Sequence, residues 1–343
     1  MFKGAIIGFG KIARTSHFAA FQDIRLKDKV MITSAVEIDD NIRESSQKEF
    51  PNLKFYKTLD ELFGNEKPDF VDIAVPPKFH KEIIEQALDK NLHIICEKPF
   101  TLSAKEAEEL YRKINSSDIL FVPCHQYKYS GVWGEFKNFI NHLNDDDKVF
   151  IQFNIFRSGA DPGLKPDGNP WRLNKEISGG GILSDTGFHY LYLSNWLLKN
   201  PLRITTINNN LAHPNNQIED TSQVILEYEK GTVQINLTWV FHSRRNEAKL
   251  ISKKGSLFYN GKNFLIKNIY DSEEQITVPD ISDKSHYTGL YADLFSDFLN
   301  ALESKNYFKD GVIEAYNAIT LLTKCYQSAA ELKSIDIKNE QKS

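Results

Sequence analysis

The sequence predicts a two-domain α/β protein. An amino-terminal parallel sheet, wound on both faces by helices, precedes a domain built on an antiparallel sheet. Three observations carry this. The first third alternates apolar, β-branched runs with helical stretches. The first run ends in the glycine-rich turn Gly8-Phe9-Gly10-Lys11-Ile12-Ala13. After Cys124 the pattern changes to strands of alternating polarity joined by short turns. A chain of 343 residues is long enough for two such cores, since a domain usually takes on the order of 100–200 residues.

The amino-terminal strands are expected at 3–8, 30–37, 70–75, 92–96 and 119–124. Continuous apolar runs of this length suit parallel strands covered on both faces. Helices between them carry start signals. Thr58-Leu59-Asp60-Glu61 and Ser103-Ala104-Lys105-Glu106 each fit a capping box, with a hydroxyl at the cap and a glutamate three residues on. Strand alternating with helix implies right-handed βαβ units.

The glycine turn has the context that dinucleotide binding needs. Gly8 permits the tight turn out of the strand. Gly10 leaves no Cβ in the way of a pyrophosphate, and Ala13 still allows close helix–strand packing. Phe9, Lys11 and Ile12 complete the loop, and the next helix would present its first N–H groups to phosphate. Glu37 ends the second strand, where a carboxylate can accept from the adenosine ribose hydroxyls and repel a 2′-phosphate, which favours NAD over NADP. Asp39 competes for that role, and Arg43, one turn on, would soften the discrimination and leave NADP open. Pro76 and Pro77 cannot continue a ladder, so a rigid loop follows the third strand. It puts Pro76 and His80 beside the cofactor crevice, with capping or packing as the other reading of His80.

Cys96-Glu97-Lys98-Pro99 closes a later strand, and the carboxyl end of a strand is where such a sheet presents its chemistry. Oxidising a secondary alcohol requires a group that takes the hydroxyl proton, and Lys98 can hydrogen-bond that oxygen or exchange its proton. Glu97 would orient the loop or the nicotinamide ribose. Asp185 and His189, four apart, share one helical face if Gly179–Gly181 lead into a helix. An imidazole beside a carboxylate suits proton transfer. A structural pair is the plainer reading. No further His or acidic cluster has matching spacing, so no metal site is expected. The three glycines allow either a close approach to substrate or a hinge.

The second domain begins after Cys124. Strands are expected at 148–157, 223–228, 232–240, 248–252, 256–259 and 264–269, with Asn260-Gly261 a hairpin signal. Amphipathic helices are expected at 287–302 and 311–332. The resulting boundaries are 1–124, 125–335 and a mobile tail at 336–343. The Gly-, Pro- and Asp-rich stretch 158–178 holds Trp171 and Arg172, an apolar face and a charge for substrate oxygens.

Three segments together resemble the glucose–fructose oxidoreductase, inositol dehydrogenase and MocA family. They are the turn 8–13, Glu97-Lys98-Pro99, and Gly179-Gly180-Gly181-Ile182-Leu183-Ser184-Asp185-Thr186-Gly187-Phe188-His189. The resemblance implies a Rossmann domain followed by an α+β domain with an open, mostly antiparallel sheet. It implies hydride transfer between a nicotinamide cofactor and a sugar, a cyclitol or a derivative. It carries Lys98, Asp185 and His189 over as the catalytic group. It also implies a homodimer or homotetramer formed through the open sheet. Many members have an arginine-containing segment where this chain has Gln126-Tyr127-Lys128-Tyr129. Gln126, Tyr127 and Lys128 are therefore candidates for substrate contact only. The alternatives are an NADP-dependent reductase, a cofactor-binding regulator without chemistry, and glycoside hydrolysis through transient oxidation.

Composition narrows the partners. A formal charge of −4 with no basic stripe gives no footprint for nucleic acid. No apolar run approaches the roughly 20 residues that span a bilayer. The amino terminus runs directly into a strand, so no leader is expected. Three cysteines without paired spacing read as free thiols of a reducing compartment, the cytoplasm.

Overall fold

The computed structural model describes residues 1–162, 164, 171–212, 217–269, 272–283 and 286–337. Contacts divide these into two compact units. The first gathers Met1–Cys124 and Tyr287–Tyr316. The second gathers His125–Asp161 and the described residues of Asn169–His286 and Asn317–Ser343. The units thus interleave along the chain, where the sequence suggested contiguous ranges.

The first unit holds a six-stranded parallel sheet of β1 (Phe2–Ile7), β2 (Val30–Val36), β3 (Lys54–Tyr56), β4 (Phe70–Ile73), β5 (His93–Cys96) and β6 (Phe121–Pro123). Its order is β3-β2-β1-β4-β5-β6. This is the doubly wound arrangement, with its switch between β1 and β4, where ligands bind at the carboxyl ends. Five strands lie where the apolar runs place them, and β3 is added. Its three residues are too few to show a period. A π-helical turn, Ala13–Phe18, runs into α1 (Ala19–Phe21). The other helices are α2 (Asp40–Glu49), α3 (Leu59–Asn65), α4 (His80–Asp89) and α5 (Ala104–Asn115). Both capping boxes form. Glu61 N–H donates to Thr58 Oγ1 and Glu106 N–H to Ser103 Oγ, while each glutamate accepts from a backbone N–H just before its helix.

In the second unit, α6 (Gly131–Asn141) leads to β7 (Val149–Phe156). Then come α7 (Lys175–Ser178), a π-helical turn Leu183–Gly187 and α8 (Phe188–Leu198). The remaining strands are β8 (Pro201–Asn209), β9 (Thr221–Tyr228), β10 (Gly231–Thr238), β11 (Arg245–Ser252), β12 (Gly255–Tyr259), β13 (Phe264–Ile269), β14 (Ser272–Thr277) and β15 (Ile335–Asp336). The sheet order is β14-β13-β12-β11-β7-β10-β9-β8-β15. The sequence predicts an antiparallel sheet, and most of its pairs are antiparallel. The sheet departs from that pattern at the centre, where β7 pairs parallel with β10. That pairing joins strands about 80 residues apart, with α7, α8, β8 and β9 between them, so no local signal announces it. The two strands of the Asn260-Gly261 hairpin are paired, with Gly261 at φ +79°.

Late in the chain lie α9 (Tyr287–Ser304) and α10 (Asp310–Glu331). Phe295 of α9 stacks on Phe21 at 4.2 Å, and Phe298 meets Phe70 edge-on. These aromatic contacts bind α9 to the first unit's sheet. Residues 335–336, partly inside the expected tail, pair with β8; 338–343 lie outside the described residues. Among the described residues no helix is long and apolar enough to cross a membrane.

Candidate active site

The glycine turn is built on backbone that only glycine adopts easily. Gly8 has φ +88°, and a Cβ there would lie 2.6 Å from Val75 Cγ1. A Cβ at Gly10 would meet nothing within 4 Å. Phe9 is buried edge-to-face among Phe18, Phe50 and Phe55, which anchors the turn. Its N–H donates to Glu37 Oε2 at 3.0 Å, and Glu37 Oε1 accepts from Asp39 N–H at 2.9 Å. Glu37 therefore braces the turn from the end of β2. Asp39 caps α2 through Ile42 N–H. Arg43 donates to the Glu37 carbonyl and pairs with Asp40. Lys11 and Ile12 are half-buried at the start of the helix. Open space at Gly10, a helix beginning there and a carboxylate at the end of β2 fit a dinucleotide.

The ends of β4 and β5 carry the next residues. Pro76 is half-buried and precedes a 3₁₀ turn, Pro77–Phe79. His80 is a correction. Its ring is fully buried, with Nδ1 2.9 Å from the Pro99 carbonyl and Nε2 2.9 Å from that of Val75. Burial pushes this imidazole down against the pull of those carbonyls. His80 joins the two loops, with both ring nitrogens on backbone carbonyls, which is the packing role rather than a cofactor contact. The Lys98–Pro99 peptide is cis, and the Lys98 side chain is half-buried. Glu97 Oε2 accepts from Lys98 N–H at 3.0 Å.

Behind Glu97 lies a cluster that sequence reading missed. His17 Nε2 is 3.0 Å from Glu97 Oε1, and its Nδ1 is 2.9 Å from Asp72 Oδ2. The Tyr291 hydroxyl also donates to Glu97 Oε1. Burial alone would lower the imidazole, but the Asp72 charge and its hydrogen bonds to both carboxylates raise it to about 10. Burial would raise Glu97, yet the bond and charge of His17 hold it down at about 2. Burial pushes Asp72 up, against the charge of His17. One signal was present: Asp72 interrupts the apolar run Phe70-Val71-Asp72-Ile73, and a buried acid needs a partner.

In the second unit, Gly179 (φ +79°) ends α7. A Cβ at Gly180 would lie 1.8 Å from the Tyr326 hydroxyl, and one at Gly181 1.8 Å from the Glu219 carbonyl oxygen. The close approach these glycines permit is to their own fold. Glu219 Oε1 accepts from Gly181 N–H, Leu183 N–H and the Tyr326 hydroxyl. Asp185 sits on the π-helical turn, where an α-helical turn was expected, and His189 follows in α8. Arg172 Nε donates to Asp185 Oδ1 at 3.0 Å, and the guanidinium lies over Trp171 at 4.4 Å. His189 Nδ1 is 3.0 Å from the Tyr192 hydroxyl, and its ring stacks on Tyr127 at 4.1 Å. Gln126 is buried in a 3₁₀ turn, Gln126–Tyr129, and Lys128 is half-buried there. Tyr192 and Glu219 were not anticipated. Tyr192 is one helical turn from His189, a spacing that could have been read.

These features define a dinucleotide-binding α/β domain joined to a mixed-sheet domain. Residues 2–123 match the model of an oxidoreductase family with an NAD-binding Rossmann fold. Residues 132–258 match the GFO/IDH/MocA carboxyl-terminal domain. The chain belongs to this GFO/IDH/MocA family. It is 27% identical over 230 residues to an uncharacterised oxidoreductase of Schizosaccharomyces pombe, covering 66% of this chain and 60% of that protein. It is 24% identical over 241 residues to a D-apiose dehydrogenase of Paraburkholderia graminis, covering 68% and 59%. The chain thus spans about three fifths of the length of these relatives. Its fold matches levoglucosan dehydrogenase solved with NADH and levoglucosan, at TM-score 0.85 and 16% identity, over 98% of this chain and 100% of that one.

Proposed function

We propose that the chain is an NAD-dependent oxidoreductase acting on a ring hydroxyl or carbonyl of a sugar, a cyclitol or a derivative. The observation that carries this is in the first unit: the open glycine turn braced by Glu37, on the same sheet whose β5 leads into Lys98. Relatives named as D-apiose and levoglucosan dehydrogenases support the substrate class. A nicotinamide cofactor held there would supply the hydride acceptor or donor. Gly8, Phe9, Gly10, Lys11 and Ile12 cradle the pyrophosphate, and Glu37 takes the ribose hydroxyls. Pro76 and Glu97 shape the nicotinamide end. Lys98 holds the reacting oxygen and exchanges its proton at Nζ. His189, steadied by Tyr192 and Tyr127, serves as acid or base. Asp185, held by Arg172, orients the substrate, and Trp171, Gln126 and Lys128 flank it.

The test is a panel of sugars and polyols with NAD, read by absorbance of the reduced cofactor. Lys98→Ala and His189→Ala should each lower turnover by about two to four orders of magnitude, the usual loss for a positioned acid or base. NADH affinity should change far less. NAD binding without turnover of any sugar or polyol would favour a regulator.

The outer face of the nine-stranded sheet exposes Phe150, Ile207, Ile225 and Ile251. We take it as the face of a homodimer or homotetramer, since apolar residues spread over one sheet face mark interaction surfaces. Light scattering should give a multiple of the chain mass, and replacing Phe150 and Ile251 by Lys should reduce it to one. Cys96, Cys124 and Cys325 are buried free thiols, in keeping with a cytoplasmic setting.

A further inference from the structure

We propose that His17, with Asp72 behind it, is a positioning residue that acts through Glu97 to hold the Lys98 backbone at the end of β5. The proposal rests on the reading of Lys98 as the residue that meets the substrate. The chain of contacts is continuous and buried. Asp72 of β4 holds His17 Nδ1, and His17 Nε2 holds Glu97 Oε1. The other oxygen of Glu97 takes the Lys98 N–H.

The π-helical turn carries His17 into the interior, where its side chain is fully buried. Such wide turns are rare and are found frequently at functional sites. An imidazole needed only for packing would not require two carboxylates. Between them it carries a proton on each nitrogen, because each faces an acceptor-only group. The cation in turn keeps Glu97 ionised in a place where burial would otherwise protonate it. An ionised Glu97 can only accept, so Lys98 N–H has a single, charge-assisted direction to point.

Among the described residues, the other groups facing this cluster are Tyr291 and Phe295 from α9, Lys98, His80, which burial keeps from charging, and the thiols Cys96 and Cys124. Burial pushes both thiols well up, so they add no charge. Cys124 also lies within 4.8 Å of the ligand-capable atoms of His17 and Glu97. With both ring nitrogens of His17 on carboxylates, the group shares protons and has no coordination to spare.

His17→Gln tests the proposal. It keeps a side chain that can hydrogen-bond but removes the cation. Glu97 and Asp72 are then two buried carboxyl groups without the imidazolium between them, and one takes up a proton as pH falls. Turnover should drop about ten- to hundredfold, as a displaced group costs, with KM and NADH affinity nearly unchanged. The kcat profile should gain an acid limb that the parent lacks. Glu97→Gln should match the loss of turnover but show no acid limb, since the carboxyl that takes up the proton is gone, and the double variant should be no worse than either, since the two act as one unit.

Hydrogen exchange at the Lys98 amide, measured without cofactor, should quicken about tenfold in His17→Gln, the effect of weakening one charge-assisted bond. The thermal midpoint supplies a further readout. His17 is raised to about 10 from an ordinary 6.5. Its stabilisation is therefore complete below about 6.5 and lost as pH rises through about 10. The parent should lose stability across that window, and His17→Gln should lose that slope.

Parent-like kcat profile and amide exchange in folded His17→Gln would overturn the proposal, as would stoichiometric zinc in the purified protein. If His17→Gln does not fold, Tyr291→Phe, which removes one donor to Glu97, should show the same acid limb and exchange in smaller measure. Parent behaviour there would overturn it equally. If no substrate is ever turned over, the amide exchange still decides this inference, and the missing turnover counts only against the proposed function.

Discussion

The two glycine-rich turns of this chain look alike in sequence and differ in what their glycines face. In the first unit, a Cβ on Gly10 would meet nothing within 4 Å. In the second, a Cβ on Gly181 would run into the Glu219 carbonyl oxygen at 1.8 Å. Each turn is tied by a buried glutamate that accepts backbone N–H groups: Glu37 from Phe9 and Asp39, Glu219 from Gly181 and Leu183. Each leads to a π-helical turn with a histidine within or just beyond it. Gly181 is kept for the fold, while the open space at Gly10 leaves room for the dinucleotide we propose there. The histidines divide in the opposite sense. His17 is clamped by two carboxylates and held as a cation, which suits positioning. His189 is set among tyrosine rings, Tyr127 on its face and Tyr192 on Nδ1, which suits a group that must change its proton.

The comparison breaks most visibly at Gly10. Gly10→Val should weaken NADH binding by more than about a hundredfold, at least 2.7 kcal/mol, because its branches fill the space a pyrophosphate takes. The thermal midpoint should stay near that of the parent. Gly181→Ala should do the reverse. The backbone must shift to admit the methyl group, a strain of about 1–3 kcal/mol, and the midpoint should fall by several degrees with NADH affinity intact. Calorimetry with and without NADH reads both. Swapped outcomes would mean that Gly10 is a structural glycine and Gly181 a ligand-facing one.

Much of this was legible from local pattern. Five of the six strands in the first unit follow from apolar runs. Both capping boxes follow from a hydroxyl and a glutamate at the right spacing, and the turn at Gly8 follows from its context. What was not legible depends on distant residues. The parallel pairing of β7 with β10 brings together segments about 80 residues apart. The His17 cluster draws on four segments, at 17, 72, 97 and 291. Neither π-helical turn was read from the sequence, each being too short to show a period of its own. His80 does open the helix that follows the proline loop, but its burial between two backbone carbonyls depends on the Pro99 segment folding over it. The resemblance pointed to Lys98, Asp185 and His189, while only the structure shows Arg172 on Asp185 and Tyr192 on His189.

The smallest effects should separate the two glutamates. Glu37→Gln removes a charge but keeps a carbonyl that can still accept from Phe9 N–H, so the turn should survive. What is lost is repulsion of a 2′-phosphate. The preference for NAD(H) over NADP(H) should shrink by about tenfold, or roughly 1.4 kcal/mol, in a titration of both cofactors. Glu219→Gln should do less still. One oxygen, Oε1, takes all three donors there, and an amide can present the same oxygen. Burial already pushes the Glu219 carboxyl up, toward its neutral form, so replacing it with a neutral group gives up little charge. The midpoint should move by an amount equivalent to less than about 1 kcal/mol, the net worth of an ordinary hydrogen bond, and cofactor preference should not move. If Glu219→Gln proves the costlier of the two, its charge contributes more than its hydrogen bonds. The second turn would then be held electrostatically, like the Lys98 segment, and the contrast between the two halves of the molecule would narrow to what their glycines face.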